Sequence, residues 1–306
     1  MAVRLPDAPG GYQLLRKIGE GGQGTVYQAR QLSTGRLVAA KRLFGGRAAS
    51  FDRFEREIQV LSDLTHPSIV SVIAAERDRE QRWLILEWVD GPAVDHWAQS
   101  LGSSPEAIRA ILALFIEICN GVQHAHSRGV IHRDIKPSII LVDAGLRPHI
   151  LDFGIAKLVN DRGGEPQTLT GSVLGTLGYS APEQLIGDTV VVTPDIRVDV
   201  YSLGAVLYKL FTGKDPLSAV CGSNPTTAQA FRTATEIRVP PRPSASNPRI
   251  SRDLDAIILK ALHPNPESRY ATVDALRSDV HSFLFNRPVT AQPPTRRYLA
   301  RVFIRR

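Results

Sequence analysis

The chain has 306 residues, 43% of them hydrophobic and 22% charged, an ordinary balance for a globular protein able to bury a sizeable core. No run approaches the roughly 20 apolar residues that cross a bilayer, the opening 1–11 lacks the apolar centre of a secretory signal, and the two cysteines, Cys119 and Cys221, make neither a disulfide framework nor a zinc site. The net charge is +7, but the six arginines of 287–306, a stretch without an acid, account for all but +1 of it, which argues against a nucleic-acid-binding face spread over the fold.

Short β-compatible runs at 12–18, 25–31 and 36–43 are punctuated by Gly21-Gly22 and by the turn Ser33-Thr34-Gly35. Phe51, Phe54, Ile58, Leu61 and Leu64 then recur at spacings of three and four, which predicts a helix ended by His66-Pro67. Strands at 69–75 and 82–89 complete a small antiparallel sheet. After Asp90-Gly91-Pro92 the pattern turns helical. Ser104-Pro105-Glu106 is a helix start, with a capping residue and a proline in the first turn. Further apolar stripes predict helices near 195–211, around 254–262 and around 276–284. The stretch 213–250 is rich in proline, serine, threonine and asparagine and reads as loop with at most one short helix. The expected fold class is α+β: a β-rich small lobe at about 12–87, a hinge at 87–92, a mainly helical large lobe at about 93–286, and a separate basic tail at 287–306.

Ile18-Gly19-Glu20-Gly21-Gly22-Gln23-Gly24-Thr25-Val26 is a G-x-G-x-x-G-x-V loop. A dinucleotide-binding loop has similar spacing but opens a helix, whereas Thr25-Val26-Tyr27-Gln28 continues as a strand. Glycines in such a hairpin let backbone amides approach phosphate oxygens unobstructed. Val38-Ala39-Ala40-Lys41 follows, and Glu57 beside the apolar helical stripe is the acid expected to pair with Lys41, with Glu55 as competitor. Such a pair would hold the ammonium where it meets the α- and β-phosphates. Further on come Val130-Ile131-His132-Arg133-Asp134-Ile135-Lys136-Pro137 and Leu151-Asp152-Phe153-Gly154.

These motifs, in this order, resemble the Hanks-type protein kinases, most of all the eukaryotic-like Ser/Thr kinases of bacteria, over residues 12–285. The resemblance implies a bilobal protein-kinase fold that binds ATP with Mg²⁺ or Mn²⁺ and phosphorylates serine or threonine of a protein substrate. It implies Asp134 as the base, Lys136 at the γ-phosphate, and Asp152 as the metal ligand. Ile18, Gly19, Gly21, Gly22, Gly24, Val26, Ala39, Lys41, Leu86, Glu87, Val89 and Leu141 would form the nucleotide site, with Leu86 as gatekeeper. His132 would pack beneath Phe153, while His124 and His126 read as structural. Thr176 would contact Asp134 and Lys136, Glu183 would pair with Arg269, and Asp199 would brace the catalytic loop. Arg133 beside Asp134 suits a phosphothreonine partner, for which Thr168, Thr170 and Ser172 are the candidates.

One position departs from that pattern. Five residues after Asp134, where the family has a metal-binding asparagine, stands Ile139, which has no lone pair to offer, and Ser138 is a poor substitute. The expectation is a Ser/Thr kinase of reduced activity, the alternative a pseudokinase that binds nucleotide as a signalling scaffold. The tail alternates arginines with Tyr298, Leu299, Val302, Phe303 and Ile304, a basic amphipathic pattern suited to anionic lipid. Relatives often carry such a stretch before a membrane span, so a cytoplasmic location, free or anchored, is expected.

Overall fold

The structure is a computed structural model and describes residues 6–21, 24–44, 58–59, 61–78, 81–153, 177–185, 195–221 and 239–304. Among the described residues, five antiparallel strands form the sheet of the small lobe: β1 (Tyr12–Gly21), β2 (Gly24–Gln31), β3 (Leu37–Leu43), β4 (Val72–Asp78) and β5 (Gln81–Glu87), in the order β1-β2-β3-β5-β4. The large lobe carries α1 (Val94–Leu101), α2 (Pro105–His126), the hairpin β6 (Ile140–Val142) and β7 (Pro148–Ile150), α3 (Pro182–Leu185), α4 (Arg197–Thr212), α5 (Pro216–Cys221), α6 (Pro243–Ser246), α7 (Arg252–Ala261), α8 (Val273–Leu284) and α9 (Arg296–Ile304).

Strand alternation divides the small-lobe sheet into two faces. Tyr27, Ala29, Val38, Ala40, Trp83 and Ile85 make a closed apolar cluster on one. Cross-strand partners share a face, so the pairs Val26–Lys41, Lys41–Leu84 and Ala39–Leu86 define the other, which looks toward the large lobe. The expected strand at 69–75 starts later, at Val72, because 68–70 is used elsewhere. The Val70 amide donates to the Ile150 carbonyl and the Ile150 amide to that of Ser68, so this stretch is a rung between the lobes.

The expected helix start is present: Ser104 Oγ accepts from the Ala107 amide at 3.1 Å, with Pro105 in the first turn. Ser251 and Thr272 cap α7 and α8 in the same way, each cap contributing about 1 kcal/mol. Between 213 and 250 there are two short helices among the described residues, α5 and α6, rather than at most one. Both begin at a proline, whose fixed φ suits a first helical turn as well as a loop. Cys119 is buried and Cys221 half-buried, and burial pushes the Cys119 thiol well above its usual range; it behaves as a small hydrophobe.

The chain after α8 turns back onto the large lobe. Val289 and Val302 are buried, and Tyr298 packs against the main core. The boundary expected at residue 286 therefore falls inside a packed region.

One contact makes stability pH-dependent. The rings of His66, ahead of the interlobe rung, and His124, on α2, lie 5.0 Å apart. The Ser68 amide donates to His66 Nδ1, and Arg128 sits 3.2 Å from His124 Nδ1. Burial, before any charge effect, holds both imidazoles below the usual histidine range. The unfolded chain therefore binds protons that the folded one refuses, and stability must fall as pH drops below roughly 6.5 toward the lowered folded values. Thermal melts between pH 8 and pH 5 should show that decline, and a His66→Gln/His124→Gln variant should flatten it; an unchanged slope would count against this contact as its source.

Candidate active site

The cleft between sheet and large lobe gathers most of the residues singled out by sequence. Lys41 is buried on β3, and its Nζ lies 2.8 Å from Asp152 Oδ1. Val26, Ala39, Val89 and Leu141 are half-buried around the cleft and Leu86 is buried, so their apolar surface is available to a flat ligand. Leu141 bridges to Ala93, just past the hinge. Ile18, on β1, is 45% exposed. Gly22 and Glu57, like Glu55, Thr168, Thr170, Ser172 and Thr176, lie outside the described residues.

The glycines of the hairpin divide into two kinds. At Gly19 and Gly21 an added Cβ would meet nothing within 4 Å, so the backbone there is open to a ligand. At Gly24 it would lie 2.2 Å from the Arg42 carbonyl oxygen, so this glycine is required by the β2–β3 approach itself. Gly91, which the sequence reading passed over as a hinge turn, is equally constrained: its Cβ would fall 2.0 Å from the Val142 carbonyl oxygen, which ties the hinge to β6.

Below the cleft the loop 130–136 is held by one fully buried carboxylate. Asp199, in the first turn of α4, accepts the His132 and Arg133 amides, both at 2.8 Å, and lies 2.7 Å from His126 Nε2. Those bonds hold Arg133 at φ 67°, in the left-handed region, a conformation that persists only where its surroundings over-determine it. His132 spans two motifs. Its Nδ1 accepts from the Asp134 amide at 3.3 Å, so the ring proton is assigned to Nε2, which donates to the Leu151 carbonyl at 2.9 Å. Its ring also meets Phe153 edge-on at 4.7 Å. The packing expected for His132 is present, and the two hydrogen bonds join the loop that carries Asp134 to the one that carries Asp152.

Asp134 Oδ2 and Lys136 Nζ are 2.9 Å apart, both half-buried. Gln184 was not anticipated: its Nε2 donates to the Arg133 carbonyl at 3.0 Å and its Oε1 accepts from the Ala181 amide, which fixes α3 against the loop. Glu183 and Arg269 form the expected pair through two parallel bonds of 2.6 and 2.7 Å.

Ile139 is 7% exposed and belongs to the main apolar core. Its carbonyl accepts from the Leu151 amide at 2.8 Å, so its backbone is tied to the residue before Asp152, and its side chain offers no oxygen; Ser138 is exposed. Among the described residues no group of three or more histidine, cysteine, aspartate or glutamate side chains could hold a metal ion by itself. The half-buried Asp152 carboxylate fits a hard cation that takes its remaining ligands from phosphate and water. Ile139, which has no lone pair, adds no second ligand there.

A glycine hairpin over a sheet-borne lysine, an aspartate across the cleft, and a braced loop carrying a second aspartate and a lysine are the arrangement of the protein kinase class. Residues 12–281 match the protein kinase domain family, and the chain belongs to that family. It is 37% identical over 276 residues to serine/threonine-protein kinase Pkn1 of Myxococcus xanthus, an alignment covering 88% of this chain and 38% of that one. To serine/threonine-protein kinase PknB of Mycobacterium tuberculosis it is 37% identical, covering 88% and 42%. To a probable serine/threonine-protein kinase of Streptomyces coelicolor it is 36% identical over 290 residues, covering 92% and 41%. The chain thus spans about two fifths of the length of these relatives.

Proposed function

We propose that this chain is an ATP-dependent protein serine/threonine kinase, slowed because Ile139 occupies the position of a metal-binding asparagine. The observation that carries the reading is the cleft itself: the Lys41–Asp152 pair at 2.8 Å on one side and the Asp134–Lys136 pair at 2.9 Å on the other, joined through His132. Asp152 would hold a divalent cation, Mg²⁺ or Mn²⁺. When bound, that cation supplies charge neutralisation to the β- and γ-phosphate oxygens.

The protein's own groups do the rest. Gly19 and Gly21 leave room for backbone amides to approach the phosphates, and Lys41 neutralises the α- and β-phosphates. Asp134 orients the serine or threonine hydroxyl and takes its proton as the oxygen bonds to the γ-phosphorus and the bond to the β-phosphate oxygen breaks, releasing ADP. Lys136 follows the charge on the transferred group. Because the transition state is loose, positioning contributes more than basicity, which is why Asp199 and His132 matter without touching substrate. Thr168, Thr170 and Ser172 are proposed autophosphorylation sites, with Arg133 as their partner. A nucleotide-binding scaffold with little turnover is the second reading, and the buried Ile139 is what favours it.

The arginine-rich segment 287–306 is proposed to meet an anionic membrane surface, since four of its six arginines fall in 296–305 among apolar residues.

Calorimetric titration with ATP at millimolar magnesium should show binding, and Lys41→Met should weaken it by roughly 10–100-fold, the loss of one or more charge-assisted bonds worth about 1.5–3 kcal/mol. No binding, or binding indifferent to Lys41, would remove both readings.

A further inference from the structure

We infer that α9 is a fixed bilayer-contact face of the large lobe, presenting Leu299 and Phe303 toward an anionic lipid surface, rather than a free basic tether. The inference rests on the reading that segment 287–306 meets such a membrane, and adds which residues touch it and how they are held.

The holding device is Asp279 on α8. Its carboxylate is buried, and it accepts the Thr290 amide at 2.7 Å, the Thr290 hydroxyl at 2.9 Å, the Ala291 amide at 2.9 Å and the Tyr270 hydroxyl at 2.9 Å. Three of those four donors belong to the segment after α8. A buried carboxylate held by neutral donors depends on having all of them, so Asp279 fastens 290–291 firmly. The Val289 amide donates to the Tyr298 hydroxyl at 2.9 Å, and Gln292 Nε2 to the Arg252 carbonyl at 3.1 Å. These bonds bring the start of α9 against the lobe.

Helical spacing then decides which face is left outside. Tyr298 and Val302, four apart, turn inward, Tyr298 half-buried against the core and Val302 buried. Leu299 and Phe303 are also four apart, rotated one position round the helix, and are 41% and 77% exposed. Arg296 and Arg297 beside them are exposed too. With no acid anywhere in 287–306, this is an apolar pair within a basic segment. That combination matches an anionic lipid surface, where arginines meet headgroups and apolar side chains enter the acyl boundary. A mobile polybasic tail would need no such latch, and its apolar residues would not be sorted into an inward and an outward pair.

The test uses the full chain with vesicles of phosphatidylcholine, with and without phosphatidylserine, and amide hydrogen exchange at 289–291. The expected result is sedimentation only with phosphatidylserine, weakened about tenfold or more by Leu299→Ser/Phe303→Ser, with the 289–291 amides protected both free and bound. Phosphatidylserine binding that ignores the Leu299/Phe303 pair but is lost in Arg296→Gln/Arg297→Gln, or unprotected 289–291 amides, would overturn the inference and leave a flexible basic contact. No phosphatidylserine-dependent binding would overturn the membrane reading with it. Self-association abolished by the serine pair would overturn the inference in favour of a second copy of the chain.

Discussion

Ile139→Asn is expected to raise phosphotransfer turnover by roughly 10²–10³, the gain from restoring one preorganised charge-stabilising group, about 3–4 kcal/mol. The geometry allows the change to act locally. Main-chain bonds to the Lys136 carbonyl and from the Leu151 amide fix residue 139 whatever its side chain, so the new carboxamide would be introduced on a backbone tied to the residue before Asp152, without moving the loop.

The same substitution should cost stability when no nucleotide is bound. Ile139 sits in the main core, and a buried carboxamide without partners costs about 1–3 kcal/mol. A cation and nucleotide held by the new oxygen would offset that cost by mass action. The expected signature is therefore a variant that is faster, melts lower alone, and gains more Tm than the parent on adding ATP with magnesium or manganese. Turnover in both proteins supports a slowed kinase, and turnover only in the variant supports the scaffold reading. A stable variant that binds nucleotide but turns over no faster than its parent would show that Ile139 is not what limits the chemistry.

The parts of the site legible in the sequence are those in which local pattern and chemistry coincide. The G-x-G-x-x-G-x-V loop that runs on into a strand, Lys41 on the third strand and the motifs around Asp134 and Asp152 are short local patterns in a fixed order, whereas Val26, Ala39 and Leu86 came only with the family resemblance and are set on the face of Lys41 by strand pairing. Ser104-Pro105 showed a helix start because capping needs only residues within one turn. What escaped depends on partners distant in sequence. Asp279 reads as one more helix charge, since Tyr270 and Thr290–Ala291 lie on either side of it and nothing local reveals that they converge. Gly91 looked like a turn residue because the Val142 carbonyl that excludes a Cβ is fifty residues on. The rung at 68–70 looked like the start of β4, because apolar alternation does not say which strand will pair. The charge count set the tail apart at residue 286, but charge reports solvent-facing side chains and is blind to Val289 and Val302, which are buried.

Arg269→Ala is expected to lower stability by about 3–5 kcal/mol, the cost of removing one partner from a buried ion pair. All five guanidinium N–H donors are used: Nε to the His263 carbonyl at 2.6 Å, Nη1 to Glu183 Oε1 at 2.6 Å and the Arg197 carbonyl at 3.0 Å, and Nη2 to Glu183 Oε2 at 2.7 Å and the Pro264 carbonyl at 3.0 Å. The group also lies 5.0 Å from the Tyr201 ring centroid. Alanine would strand the Glu183 carboxylate and three carbonyls at once, and a total stability of roughly 5–15 kcal/mol leaves little margin for that. Arg269→Lys should recover only part of the loss, because an ammonium has three donors and no fork. The damage should reach the chemistry too: Glu183 and Gln184 are consecutive on α3, and Gln184 holds the Arg133 carbonyl beside Asp134. Urea midpoints for the parent, Arg269→Lys and Arg269→Ala should fall in that order, with kcat declining alongside at temperatures where each remains folded. A loss below about 1 kcal/mol for Arg269→Ala would put the pair in the class of solvated surface bridges, and the bracing of the Asp134 loop through α3 would have to be abandoned.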